Sequence, residues 1–327
     1  MTQRSIRFSV VTPTYNRRPV LERAIRSVQA QTCSDYEHLI VDDGSTDSTR
    51  DYVKSLRDPR IRFIELAEHR GANWARNVGI EAARSSWITF LDSDDEFLPH
   101  RLQWLSQICT TQADARLLLS SFETHKRQRR VDAVNPALLL SGTQLEQALM
   151  GYGICIAGTS ITVRRDHLLA AGGFDPTIFR LQDREVLLRL SRLGGAQLLS
   201  NVDWVKHPSV DSISLPREGY VEALGELLQA NPELCAKYRE ITGYHVTRHL
   251  LSDLFRGRWS QAWSAYRANR RAAALRFGLW ELVRGYRTAA SQRRAWSVTT
   301  KHRPAATNSP LALPTAIAEP ARISSAA

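Results

Sequence analysis

Residues 87–99 read WITFLDSDDEFLP, an apolar run that ends on Asp92, Asp94, Asp95 and Glu96, four acids in five positions. Carboxylates this close repel one another and resist ionising together unless a positive group sits among them. A hard divalent cation is one such group, because Mg²⁺ takes one or two protein carboxylates and fills the rest of its shell with water and phosphate oxygens. A further acid, Asp183 in LQDREVLLRL, stands at the start of a helical pattern. Backbone N–H groups and the helix dipole favour its ionised form there. The polar segments TPTYN (12–16) and DDGS (42–45) complete the set. Together these residues suit a diphosphate bridged by a divalent cation that stabilises a departing phosphate.

The elements that must position them alternate. FSVVTPTYN reads as a strand running into a loop, and VLERAIRSVQAQ carries Val20, Leu21, Ala24, Ile25 and Val28 on one helical face. HLIVDD (38–43) is a second strand, GSTDSTRDYVKSL a second helix with Ser45 or Thr46 as its cap, and IRFIEL (61–66) a third strand. ANWARNVGIEAARS is helical and WITFLD is a fourth strand. Such alternation predicts right-handed crossovers and a mainly parallel sheet, with ligands at the carboxyl ends of the strands. TPTYN, DDGS and DSDD each follow a predicted strand directly, so the three loops should converge on one crevice.

Farther along, KRQRR (126–130) is predicted to turn between two strands, and NPALLLSGTQLEQALM to form a helix after a loop. GICIAGTSITVRR (153–165) reads as a strand; a helix, a GGFD turn and a helix from about Asp183 follow. Leu187, Leu188, Leu190 and Leu193 give that last helix its apolar face.

The 327 residues contain 43% hydrophobic and 24% charged residues, an ordinary globular balance. The net charge of +11 is localised. Residues 1–235 hold 28 basic and 29 acidic side chains, 236–303 hold 15 and 3, and the last 24 residues hold one of each. The division predicted is a main domain over 1–235, a basic amphipathic helical extension over 236–303 and a disordered tail over 304–327. Val246, Leu250, Leu254, Trp259 and Trp263 recur at helical spacing in the extension. That face either packs on the main domain or lies on an anionic membrane surface. Cys33, Cys109, Cys155 and Cys235 show no metal-ligand spacing, and reduced thiols of a cytosolic protein are expected. The first residues carry no signal-peptide core, and no stretch approaches the roughly 18 apolar residues of a spanning helix. A soluble or peripheral protein is the expectation.

In order along the chain, VVTPTYNR, VDDGSTDST, GANWARNVGIEAA, LDSDDEFLP, GGFD and LQDREVLLRL resemble the motifs of the family 2 glycosyltransferases, inverting enzymes of the GT-A fold. The resemblance covers roughly residues 6–215, and six ordered motifs make it specific where a lone DxD would not. It implies an α/β fold of GT-A type, with a mainly parallel Rossmann-like sheet flanked by helices. It also implies nucleotide-sugar contacts from Thr12, Pro13 and Tyr15, with Tyr15 stacking on the base, from Asp43 to the base, and from Arg76. Asp94 would bind Mg²⁺ or Mn²⁺ directly and Asp92 the ribose or a metal-bound water. Asp183, in QDR where many members have ED, matches the general base, and His207 matches a late metal ligand of some GT-A enzymes. The implied partners are a nucleoside-diphosphate sugar, most simply a UDP-sugar, and a glycan or lipid-linked glycan acceptor. The implied location is the cytoplasm, at the inner face of the cell membrane if 236–303 binds it.

Two other classes fit less well. A nucleotidyltransferase would need a glycine-rich phosphate loop, and TPTYNRRP has no glycine. A nucleic-acid-binding protein could use the basic extension, but the strand-end acids would then have no purpose.

Overall fold

The computed structural model describes residues 6–126, 129–208, 219–270, 279–295 and 299–303. Its first half follows the predicted alternation. Strand β1 (Phe8–Thr14) is buried throughout, as is β2 (Tyr36–Asp42), and β3 (Ile61–Glu65) extends the same edge. Helix α1 (Arg18–Gln29) starts with a proline in its first turn and buries Leu21, Ala24, Ile25 and Val28. Helix α2 (Thr49–Ser55) begins later than expected, after Ser48. Ser45 does not cap it: its hydroxyl donates to Asp42 and accepts from the Asn16 backbone N–H. Helix α3 (Ala72–Ala82) leads to β4 (Trp87–Phe90).

After β4 come a short β5 (Glu96–Phe97), α4 (Arg101–Thr111), β6 (Leu117–Lys126) and β7 (Arg129–Val134). The two strands around KRQRR are as predicted; residues 127–128 lie outside the described set. Then follow β8 (Leu139–Leu140), α5 (Gly142–Met150), a 3₁₀ turn at Gly158–Ser160, β9 (Ile161–Arg164), α6 (Arg165–Ala170) and α7 (Gln182–Leu193). Only the end of 153–165 is strand. In α7, Leu187, Leu188 and Leu190 are buried, while Leu193 is exposed.

The sheet runs β11-β7-β6-β9-β4-β1-β2-β3, where β11 is Thr299–Arg303. Neighbours in β3-β2-β1-β4 are parallel, as expected. Beyond β4 the sheet is mixed: β9 is antiparallel to both β4 and β6. One long strand had no sequence-based expectation. β10 (Ala196–Lys206) runs parallel to β6 and antiparallel to β5 and β8. Its pairing with β5 sets Val205 opposite Glu96, bringing the end of β10 beside the acidic loop.

The C-terminal helices are α8 (Tyr220–Ala230), α9 (Pro232–Lys237), α10 (Arg239–Phe255), α11 (Trp259–Arg270) and α12 (Leu279–Ala295). Val246, Leu250, Ala262 and Ala265 join the same buried cluster as Val11, Ile88 and Leu187, and the extension reaches the main domain through α8 and α5. Burying Val246 or Leu250 contributes about 1.5–3 kcal/mol each. The predicted tail, 304–327, lies outside the described residues.

Candidate active site

The carboxyl ends of β1, β2, β4 and β10 meet at one edge of the sheet. The TPTYN and DDGS loops are sewn together there, since the Asn16 carboxamide oxygen accepts from the backbone N–H groups of Thr46 at 2.7 Å and Asp47 at 3.3 Å. Gly44 has φ +79°, and a Cβ on it would lie 3.1 Å from the His69 backbone nitrogen. Glycine therefore lets the 68–71 loop approach Asp43. The Asp43 carboxylate accepts from Arg70 N at 3.0 Å, Gly71 N at 2.7 Å and the His69 ring at 2.8 Å. Tyr15 stacks on that imidazole. Thr12 and Pro13 are buried within β1, and the Thr12 hydroxyl meets the buried His38 Nε2 at 2.9 Å. The structure thus gathers Tyr15 and Asp43 at the crevice and leaves the Thr12 hydroxyl in the sheet.

Helix α3 builds the other wall. Asn73 donates to the carbonyls of Asp175 and Ile178, and Asn77 exchanges two hydrogen bonds with the backbone of Phe174. The ARN motif thereby tethers the GGFD segment that leads into α7 and Asp183. Arg76 is buried and donates to Asp92 at 2.7 Å and to Asn73 at 3.0 Å.

In the DSDDE loop the acids have divided roles. Burial works against ionised Asp92, but the Arg76 charge and hydrogen bond together with the Lys206 and Arg17 charges outweigh it and hold the carboxyl below its usual range. Asp94 accepts from Arg17 at 3.3 Å, and its carbonyl accepts from Arg23 at 2.6 Å. Asp95 is buried against the Thr159 hydroxyl, 2.7 Å away, and burial pushes its pKa well above the ordinary value. Glu96 pairs with His207 Nε2 at 2.8 Å, so that ring nitrogen faces a carboxylate. His125 crosses the His207 ring edge-on at 5.3 Å.

Asp183 sits in the first turn of α7, after Leu181 in a left-handed conformation. Its Oδ1 is sealed from solvent and has no hydrogen-bond partner among the described residues. A Cβ at Gly158 would stand 3.2 Å from Asp92 Oδ1 and 3.4 Å from Asp183 Oδ1. Gly158 is therefore the floor on which the two carboxylates approach. Burial raises the Asp183 pKa, with the Arg76 charge opposing and the Asp92 charge adding to it.

Three features of the site had no sequence-based expectation. Gly158 is one. Lys206, at the end of β10, is another: burial disfavours its ammonium, but the charges of Asp95, Asp92, Asp94 and Asp183 raise its pKa. Its position at a strand end was the available signal, hidden because β10 itself was not legible. The third is Arg101, fully buried, which pairs with Asp203 and donates to the Thr159 carbonyl at 2.8 Å. That contact fixes the turn carrying Gly158.

Among the described residues no cluster of three or more His, Cys, Asp or Glu side chains could hold a metal ion unaided. Asp94 with Asp92 still matches the one or two carboxylates that Mg²⁺ or Mn²⁺ needs when phosphate oxygens complete the shell.

Residues 9–115 match the sequence profile of glycosyl transferase family 2. This stretch carries the sequence signature of family 2 glycosyltransferases. It contains the TPTYN, DDGS, ARN and DSDD motifs. A relative from Campylobacter jejuni, GalNAc(5)-diNAcBac-PP-undecaprenol beta-1,3-glucosyltransferase, is 40% identical over 104 residues, 31% of this chain and 34% of that protein. An Escherichia coli relative, UDP-Glc:alpha-D-GlcNAc-diphosphoundecaprenol beta-1,3-glucosyltransferase WfgD, is 37% identical over 95 residues, 29% of this chain and 38% of that protein. The chain thus spans about a third of the length of these curated relatives. The crystal structure of S. aureus TarS 1-349 in complex with UDP-GlcNAc superposes with a TM-score of 0.62 at 18% identity, over 88% of this chain and 89% of that one. The matched stretch therefore lies in a chain of the same α/β fold as TarS.

Proposed function

We propose that the protein is an inverting glycosyltransferase that moves a sugar from a nucleoside-diphosphate sugar, of the UDP class, to a hydroxyl of a glycan or lipid-linked glycan. The observation that carries this reading is Asp183 Oδ1, buried and unpartnered beside Asp92, at the strand ends where the family 2 motifs converge. A carboxylate with a raised pKa is a stronger base, and general-base assistance grows as its pKa nears the working pH. Asp183 accepts the proton of the acceptor hydroxyl, whose oxygen forms a bond to the anomeric carbon as the bond to the diphosphate breaks on the opposite face. No covalent sugar–protein intermediate forms. Arg76, Arg17 and Lys206 supply preorganised positive charge around the acids. Tyr15 and Asp43 take the base, and Thr12 and Pro13 shape the strand beneath it.

Asp94, with Asp92, would hold Mg²⁺ or Mn²⁺, and His207 would join only by exchanging its contact with Glu96. A bound cation supplies charge neutralisation of the departing diphosphate. Names of relatives that refer to undecaprenol-linked substrates support a lipid-linked acceptor. A cytoplasmic place at the inner face of the membrane goes with that acceptor. Among the described residues no helix is long and apolar enough to cross one.

Thermal-shift titration with UDP, with and without Mn²⁺, tests the donor half. Ligand at 100 times its Kd stabilises by about 2.7 kcal/mol. Stabilisation that needs Mn²⁺ and is lost in Asp94→Ala but kept in Glu96→Ala is expected. Stabilisation by duplex DNA in place of UDP would make this a nucleic-acid-binding protein.

A further inference from the structure

Helix α11 reverses the usual arrangement of a surface helix. Its small residues Ala262, Ala265 and Asn269 are buried, and Asn269 Nδ2 donates to the Val221 carbonyl of α8 at 2.8 Å. Its tryptophans point outward: Trp259 is 69% exposed and Trp263, one turn on, 60%. Phe255, across the turn at Gly257, is 88% exposed. Trp263 also stacks on Tyr266, with ring centroids 5.6 Å apart. Large apolar side chains of an amphipathic helix ordinarily face the core. Aromatics grouped on the outside mark a surface that is covered in use.

The charges around them indicate by what. Arg256, Arg267 and Arg270 are exposed and have no ion-pair partner among the described residues. Arg258 leans toward Asp253, at 3.8 Å. At 100° per residue, Arg270 falls within the arc of Trp259 and Trp263, and Arg267 beside it. No acid stands between residues 254 and 280. Indole rings flanked by arginines on one face are the pattern of a helix lying in a headgroup layer, its apolar side chains a few ångströms deep. A protein partner would cover the rings without requiring arginines on the same helical arc, and a nucleic acid would use the arginines without requiring a phenyl ring at the helix junction.

The geometry points to the face formed by Trp259, Trp263, Arg267 and Arg270, with the exposed Phe255 at the helix junction, as a docking surface for an anionic lipid bilayer. The rings enter the headgroup region and the guanidinium groups meet lipid phosphates. This assigns residues to the membrane placement proposed above and rests on the lipid-linked acceptor only for its purpose. Cosedimentation of the full chain with phosphatidylcholine vesicles, with and without phosphatidylglycerol, tests it. The wild type should bind only the anionic vesicles and release as salt screens the charges. Trp259→Ser with Trp263→Ser, and separately Arg267→Gln with Arg270→Gln, should each weaken binding about 10-fold or more, since the indoles supply the buried apolar area and each arginine near an anionic surface contributes about 1 kcal/mol. Circular dichroism and UDP binding should be unchanged in both variants. Vesicle binding that neither variant weakens, no binding by the wild type, or a dimer that the tryptophan variant dissolves in place of vesicle binding would overturn the proposal. Vesicle binding by a chain that binds no UDP would instead count against the transferase reading and leave the docking surface standing.

Discussion

The Tyr15 ring lies on the His69 imidazole, with centroids 3.8 Å apart and planes 18° apart, and that imidazole also bonds Asp43 at 2.8 Å. One side chain of the protein thus makes both contacts that the proposed function gives to the nucleobase. A base taking up those contacts has to displace His69. His69→Ala should tighten UDP binding about 3- to 10-fold, because an aromatic pair is worth about 0.5–1.5 kcal/mol. Calorimetric titration reads this; weaker binding would mean that the base uses the open face of Tyr15 with His69 behind it.

Asp183→Asn keeps the shape of the site and removes the proton acceptor. Turnover should fall by about 10² to 10⁴ while the Kd for UDP stays the same. Steady-state kinetics paired with calorimetry separates the two, and a variant with full turnover would remove Asp183 from the reaction.

Gly158→Ala adds a methyl group 3.2–3.4 Å from the carboxylates of Asp92 and Asp183. The Gly158 backbone is not in the left-handed region, so the strain falls on the carboxylates and not on the chain. Turnover should drop on the order of 10-fold or more from misplacement of the two acids. The stability cost should stay within the overpacking range of about 1–3 kcal/mol. Melting curves and kinetics on the same sample compare the two losses.

Arg101 and Asp203 form a buried ion pair, with Ser120 donating to the same carboxylate at 3.0 Å. Arg101→Met leaves Asp203 buried beside a neutral side chain. Breaking such a pair costs about 3–5 kcal/mol. Urea unfolding should show the lower midpoint, and an unchanged midpoint would mean that the pair contributes nothing net.

His38 is fully buried, and burial pushes its pKa from 6.5 down to about 3. The unfolded chain therefore binds a proton that the folded chain refuses between those values. This contribution to stability is fully present above pH 6.5 and is lost as pH falls toward 3. Between pH 7 and 5 it amounts to about 2 kcal/mol. Urea titrations at the two pH values should show His38→Gln losing less stability than the wild type; equal losses would mean that His38 does not titrate on unfolding.

The chain's own periodicity determines much of this protein. Apolar runs ending on TPTYN, DDGS and DSDD mark three strand ends, and the leucine spacing after Asp183 marks a helix start, because both signals are local. Strand β10 is not legible in this way: its register shifts between Leu199 and Val202 and again before Val205, so no alternation of two survives. Lys206 was lost with it. The pairings of Arg101 with Asp203 and of Asp92 and Asp183 across Gly158 join segments far apart in sequence, and no local rule reports them. Helix α11 shows the limit most directly. The spacing of Trp259 and Trp263 determines that they share a face. Only packing decided that Ala262, Ala265 and Asn269 turn inward against α8, since a close helix approach accepts small side chains and leaves the indoles outside.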